Sequence, residues 1–301
     1  MEETYFSRLL PELAEKSVQA AIRRLHIQNK PLATYLRNTL STQLGTKGSL
    51  LGNPVFEPTF GWQAYPQTMQ DLSGGLLSSS LIYAMDAPAG ESDNEYRFGK
   101  EYYPYQHQHA AWSLLSQQPP QSLVVTSGTG SGKTECFLVP VLDDLIRESD
   151  RSAEPLVGVR ALMIYPLNAL IASQRDRLNA WTTDFGDKVR FCLYNGTTPL
   201  SVPQWQRQEA MNQVLDRESL RESPPPILVT NATMLEYLLV RTQDAPIIQA
   251  SQGKLKWIVL DEAHSYIGSK AAELALLLRR VMLAFGVQSE DVHFVATSAT
   301  L

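Results

Sequence analysis

The run Thr126-Ser127-Gly128-Thr129-Gly130-Ser131-Gly132-Lys133-Thr134 combines three glycines with a lysine and a hydroxyl at fixed spacing. Glycines let the backbone turn tightly and aim its N–H groups into one concavity, and a helix beginning after Gly132 adds the positive end of its dipole. That is chemistry for holding phosphate. Ser127, Gly128, Thr129, Gly130, Ser131 and Gly132 make the cradle, Lys133 reaches the terminal phosphate oxygens, and the Thr134 hydroxyl holds Mg2+. Ser127 stands where the strict pattern carries glycine. A second constellation, Asp261-Glu262-Ala263-His264, follows the apolar run Trp257-Ile258-Val259-Leu260. Two adjacent acids at a strand end are ordinarily a solvated loop. Beside a phosphate cradle, Asp261 can order the metal shell and Glu262 can take the proton of an attacking water.

Both constellations need strand ends to hold them, and the pattern from Tyr102 onward supplies strands. Short apolar runs alternate there with helical patterns, which predicts an α/β fold with a parallel sheet covered by helices. Six strands are predicted, at 123–126, 161–165, 189–194, 227–230, 257–260 and 293–297. Helices are predicted at about 107–117, 132–148, 167–182, 204–217, 232–240 and 269–285. In such sheets ligands bind where strands end and helices begin. Residues 1–100 read differently, as a mostly helical accessory region ahead of a domain at 101–301. One surface helix runs through Leu9, Leu13, Val18, Ile22 and Leu25 and is closed by Asn29-Lys30-Pro31; glycine- and proline-rich turns then separate short apolar runs.

Composition narrows the class. The 301 residues are 44% apolar and 19% charged, which excludes a disordered or collagen-like chain. No stretch reaches the roughly 18 apolar residues of a membrane span, and Met1-Glu2-Glu3-Thr4 lacks the layout of a signal peptide. A cytoplasmic protein with no membrane partner is expected. Cys136 and Cys192 have no nearby cysteine, against a disulfide framework or a cysteine zinc site. The net charge of -5 carries no footprint of a general polyanion binder, so a nucleic-acid partner must be argued from motifs.

The motifs occur in a telling order. Phosphate loop, Asp261-Glu262-Ala263-His264 and Ser298-Ala299-Thr300 together resemble motifs one, two and three of the first RecA-like domain of a superfamily 2 helicase of the DEAH type. Tyr165-Pro166-Leu167-Asn168-Ala169-Leu170, with Gln174 and Arg177, is similar to motif Ia. Tyr194-Asn195-Gly196-Thr197 is similar to the glycine motif, Thr230-Asn231-Ala232-Thr233-Met234-Leu235 to motif Ib, and Tyr105-Gln106-His107-Gln108 to the glutamine motif. The resemblance covers residues 102–301. It implies a RecA-like P-loop NTPase fold, with ATP and Mg2+ as cofactors, Gln108 at the adenine edge, and Lys133, Asp261 and Glu262 as catalytic residues. It further implies that His264, Ser298 and Thr300 couple the ATP site to a strand track, where Asn168, Thr197, Thr198, Thr230, Asn231 and Thr233 grip phosphates without reading bases. Arg175, Arg177 and Arg207 are expected to add charge that nearby Asp176 and Glu209 dilute, so affinity for a strand is expected to be modest and salt-sensitive.

Tyr266, Gly268 and Leu278-Arg279-Arg280 resemble the large bacterial DNA helicases of the Mrf and Lhr types and the helicases of phage-defence systems such as Druantia and DISARM. The implied function is the ATP-binding lobe of an ATP-dependent DNA helicase or translocase in anti-phage defence or DNA repair. Its implied partners are DNA with a single-stranded region and a defence-system protein. A second RecA-like domain, carrying motifs four to six, is expected from the same longer protein, and without it this lobe is expected to be inactive. An RNA helicase lobe and an ATP-gated interaction scaffold that unwinds nothing are the alternatives.

Overall fold

The computed structural model describes residues 5–41, 45–53, 61–88, 95–128 and 130–299. They fall into two compact units, Met1–Gly61 and Trp62–Leu301. The first contains helices α1 (Tyr5–Arg24) and α2 (Lys30–Leu40). Val18 and Ile22 are its buried apolar residues on α1. Asn29-Lys30-Pro31 opens a second helix as well as closing the first. The Asn29 side chain accepts from the Leu32 N–H at 3.1 Å, and Pro31 sits in the first turn, where a missing N–H costs nothing.

The second unit carries, in chain order, α3 (Met69–Leu72), α4 (Ser79–Asp86), α5 (Gln106–Leu115), β1 (Leu123–Thr126), α6 (Lys133–Asp150), β2 (Ala161–Ile164), α7 (Asn168–Thr182), β3 (Phe191–Tyr194), α8 (Gln204–Glu209), β4 (Gln213–Val214), α9 (Arg217–Glu222), β5 (Ile227–Thr230), α10 (Ala232–Val240), α11 (Ala245–Ala250), β6 (Trp257–Leu260), α12 (Ser269–Phe285) and β7 (His293–Ser298). The sheet has seven strands in the order β1-β7-β6-β2-β5-β3-β4, and every neighbouring pair is parallel. All six predicted strands form. The seventh, β4, interrupts what the sequence reads as one helix over 204–217. Asp216 starts a new helix there by accepting the Ser219 N–H at 2.9 Å, and a two-residue strand is too short to show a period of its own.

Helices cover both faces. One apolar layer holds Phe137, Leu142, Ile171 and Trp181 from α6 and α7 against β1, β2 and β6; the other holds Leu235, Leu277, Val281 and Phe285 from α10 and α12. Met69, Leu77, Leu81 and Met85 join the first layer, so α3 and α4 pack with the sheet inside the second unit. Asp143 of α6 fixes this segment by accepting the Ser78 N–H at 2.6 Å, and Trp181 of α7 donates to the Tyr96 carbonyl at 2.8 Å. Helices as short as α3 and α4 leave no readable periodicity among the turns.

At the amino-terminal edge of the sheet the Trp257 and His293 rings stack at 4.1 Å, and His293 Nδ1 lies 3.0 Å from the Gln121 carbonyl. Burial holds the His293 ring below its ordinary 6.5, with the Gln121 carbonyl and Asp144 opposing that shift and Lys256 adding to it. His109, stacked on Tyr65, is lowered by burial too. Because both folded values lie below the unfolded one, the unfolded chain binds more protons beneath it. This stabilisation is therefore complete above about pH 6.5 and is lost as pH falls toward the folded values. The urea midpoint is expected to drop from about pH 7 to about pH 5.5, and His293→Gln to flatten that slope. A midpoint that rises on acidification in this window would contradict the assignment.

Candidate active site

Parallel pairing puts every strand's carboxyl end on one edge of the sheet. Register aligns Thr126 with Ser298, Ala296 with Leu260, Leu260 with Ile164, Ile164 with Thr230, and Thr230 with Tyr194. The phosphate-loop residues follow β1, the acidic pair follows β6, and β7 between them ends in Ser298. The Ser127 N–H donates to the Ser298 carbonyl at 3.3 Å, which joins the loop to that strand end.

Gly130 and Gly132 adopt φ of 76° and 73°, a region that side chains resist, and a Cβ on Gly132 would strike the Gln108 amide. The Ser127 and Ser131 hydroxyls lie 2.5 Å apart. Lys133 Nζ donates to the carbonyls of Ser127 at 2.8 Å and Gly128 at 3.2 Å, so its charge is held within the loop. Thr129 lies outside the described residues. A cleft of about 820 Å³ opens here, lined by Gly130 to Glu135, Gln108, Arg177 and Glu262, with Phe98, Tyr102, Tyr103 and Tyr105 forming an aromatic wall.

Three residues fasten α5 to the loop and to α6. Gln108, 2% exposed, accepts the Tyr105 N–H at 2.8 Å and donates to the Gly132 carbonyl at 3.2 Å. His107 Nε2 lies 2.8 Å from the Ser131 carbonyl, and Trp112 donates to the Glu135 carbonyl at 2.9 Å. Both ends of the Gln108 amide thus rest on backbone, and the residue lines the cleft.

Asp261 is 9% exposed and accepts the Thr297 hydroxyl; that same oxygen accepts the Glu262 N–H at 3.2 Å. Glu262 sits at φ 52°, ψ 46°, a left-handed conformation that costs a non-glycine residue roughly 1–2 kcal/mol. Strain of this kind persists where surrounding contacts over-determine it. His264 Nδ1 lies 3.2 Å from Glu262 Oε2 and 3.3 Å from Ser298 Oγ, bridging the acid and the end of β7. Thr300 lies outside the described residues. Thr297 is the residue that sequence reading misses, because a threonine inside a strand reads as ordinary β-propensity. The buried Tyr165 phenol is pushed well above its usual value by burial and by the Asp261 charge, with Arg177 opposing.

The donor set suits Mg2+. Thr134 and Asp261 offer few protein oxygens, as suits an ion that keeps waters and phosphate oxygens in its shell. Among the described residues, no three of His, Cys, Asp or Glu converge as a metal cage, and no helix is long and apolar enough to cross a membrane.

Along the same edge Asn168, Thr197 and Thr233 are exposed and Asn231 is half-buried. Asn231 donates to Asn168 Oδ1 at 2.8 Å while its own Oδ1 caps α10 at the Met234 N–H. The Thr197 N–H and hydroxyl both donate to Asn195 Oδ1, at 2.9 and 2.7 Å. Thr230 is fully buried with its hydroxyl on the Tyr194 carbonyl, and Thr198 is buried with its hydroxyl on the Leu193 carbonyl, so these two lie beneath the row. The three arginines expected to add charge to the track have acidic neighbours. Arg207 pairs with the fully buried Asp216 at 2.9 Å, Arg175 with Asp176 at 3.1 Å, and Arg177 lines the cleft 3.5 Å from Glu135. Asp176 follows Arg175 in sequence, whereas the pairings of Arg207 with Asp216 and of Arg177 with Glu135 are made across space.

Comparison with known proteins agrees with this geometry. The chain is 27% identical over 293 residues to Druantia protein DruE of Escherichia coli, matching 66% of this chain and 16% of that protein. It is 28% identical over 199 residues to the uncharacterised ATP-dependent helicase YprA of Bacillus subtilis, across 65% of this chain and 23% of that protein. The chain therefore spans about a sixth to a quarter of these relatives. Its fold is similar to that of DUF1998 helicase MrfA, solved bound to DNA and AMPPNP, with a TM-score of 0.56 at 24% identity over 89% of this chain and 31% of that one. The sequence model of the DEAD/DEAH box helicases matches residues 105–301, the stretch that holds the sheet, the phosphate loop and the acidic pair, and the chain belongs to that family.

Proposed function

We propose that this chain is the ATP-binding lobe of an ATP-dependent DNA helicase or translocase, with residues 101–301 as the RecA-like domain and residues 1–100 as the accessory region. The convergence of phosphate loop, acidic pair and Ser298 on three adjacent strand ends carries the reading. Lys133 and the loop N–H groups hold the ATP phosphates, with Ser127, Gly128, Thr129, Gly130, Ser131 and Gly132 as the cradle and Gln108 steadying it. Thr134 and Asp261 hold Mg2+, which when bound offsets the charge that builds on the transferring phosphoryl group. Glu262 accepts the proton of the attacking water. His264, with Ser298 and Thr300, passes the state of that carboxylate to β7. Asn168, Thr197, Asn231 and Thr233 grip the backbone of one strand, and Thr230 shapes their edge from below.

The likeness to MrfA, solved with DNA, is in keeping with a DNA track, and the likeness to DruE supports a role in anti-phage defence with a defence-system partner, which we place in the cytoplasm. A second RecA-like domain of the same longer protein would close on the cleft, whose lining cations are Lys133 and Arg177. The full-length protein is expected to displace a strand from partly single-stranded DNA when ATP and Mg2+ are present, and residues 1–301 alone to displace none. Displacement confined to RNA duplexes would transfer the reading to an RNA helicase. ATP binding with no displacement of either would favour the scaffold.

A further inference from the structure

Helix α10 starts at the strand track, with Asn231 as its cap and Thr233 exposed in its first turn. One turn further along the same face stands Tyr237, 47% exposed, with the Arg241 guanidinium 4.3 Å from its ring centre. The neighbouring acids are occupied. Glu236 pairs with Arg280 at 2.6 Å, and the buried Asp244 accepts from Tyr194 and Arg221, each at 2.8 Å. Arg241 makes no ion pair among the described residues. An aromatic face and an uncommitted cation therefore stand about 6 Å along the helix axis from Thr233, and side chains on a helix lean toward its amino end.

We propose that Tyr237 and Arg241 form a base-stacking subsite for single-stranded nucleic acid, extending the strand track assigned above, on which this inference rests. The chemistry differs from that of the track. Hydroxyls and amides at Asn168, Thr197 and Thr233 meet phosphates, whereas an open ring with only two side-chain torsions meets the flat face of an unpaired base, and any base will serve. Arg241 holds the ring by a cation–π contact and adds positive charge for the adjoining phosphate. Bases inside a duplex are already stacked, so the subsite favours a single strand.

The test uses the full-length protein, a fluorescein-labelled oligothymidylate and an abasic oligonucleotide of equal length. Wild-type protein is expected to bind the base-bearing strand about tenfold more tightly, the order that one stacked base contributes. Tyr237→Ala should bring both affinities to the abasic value, and Tyr237→Phe should keep the preference. Arg241→Gln should reduce the salt slope by about one. Unchanged ATP affinity in Tyr237→Ala would show that the fold is intact. A preference that survives Tyr237→Ala, or an equal loss on both strands, overturns the subsite. Wild-type protein that binds both strands equally also removes the subsite while leaving the track. Failure to bind either removes the track reading and the subsite with it.

Discussion

Glu262→Gln in the full-length protein is expected to bind ATP with little change and to turn it over roughly 10²–10⁴-fold more slowly, the range that a positioned general base contributes. The amide keeps the shape of the side chain but cannot take a proton from water. Two contacts make the result interpretable. The residue's backbone is held in its left-handed turn by the N–H bond to Thr297, which the substitution leaves in place, and Nδ1 of His264 can still meet an amide oxygen at the 3.2 Å position. Single-turnover hydrolysis measured beside nucleotide titration separates chemistry from binding. A rate near wild type would remove the base role from Glu262 and direct attention to Glu101 and Glu135, carboxylates that line the same cleft.

Lys133→Ala acts on binding. Lys133 and Arg177 are the cations that line the cleft, and Arg177 faces Glu135, so the ammonium is the one available to terminal phosphates. A charge-assisted hydrogen bond of this kind contributes about 1.5–3 kcal/mol, which corresponds to roughly 10- to 150-fold in ATP affinity. The fold is expected to survive, because the bonds lost in the free protein are those to the carbonyls of Ser127 and Gly128 at the cleft surface. Unchanged ATP affinity with an intact circular dichroism spectrum would show that the loop after β1 does not hold triphosphate.

How much of this was legible in the sequence depends on the range over which each feature is determined. The six long-patterned strands and their helices follow from apolar runs and periods contained within a few residues. The phosphate loop and the acidic pair are contiguous strings, and parallel pairing brings their strand ends to one edge. What pairing across space decides was not legible. Arg207 and Asp216 are nine positions apart in sequence, and nothing in that spacing says that the acid is fully buried beneath the cation. Thr297 gains its importance only because β7 lies beside β6, where its hydroxyl meets both acidic residues. The bond of Gln108 to the Gly132 carbonyl was not legible either, because nothing in the sequence shows how closely Gly132 approaches α5. Helices α3 and α4 hide for another reason: they are shorter than the window in which a helical period can be recognised.

The position of β1 bears on how the molecule is assembled. Among the described residues this strand pairs with β7 alone, and β7 is the last of the described strands in chain order. On a ribosome, β2, β5 and β3 can align as soon as β5 emerges, while β1 must wait for residues 293–298 before it acquires a neighbour. Closing so long a loop is entropically costly and comes late. Among the described strands, the one that leads into the phosphate loop is therefore the last to gain a partner. Until then the apolar run Leu123–Thr126 stays unpaired, a strand open to wrong partners during synthesis.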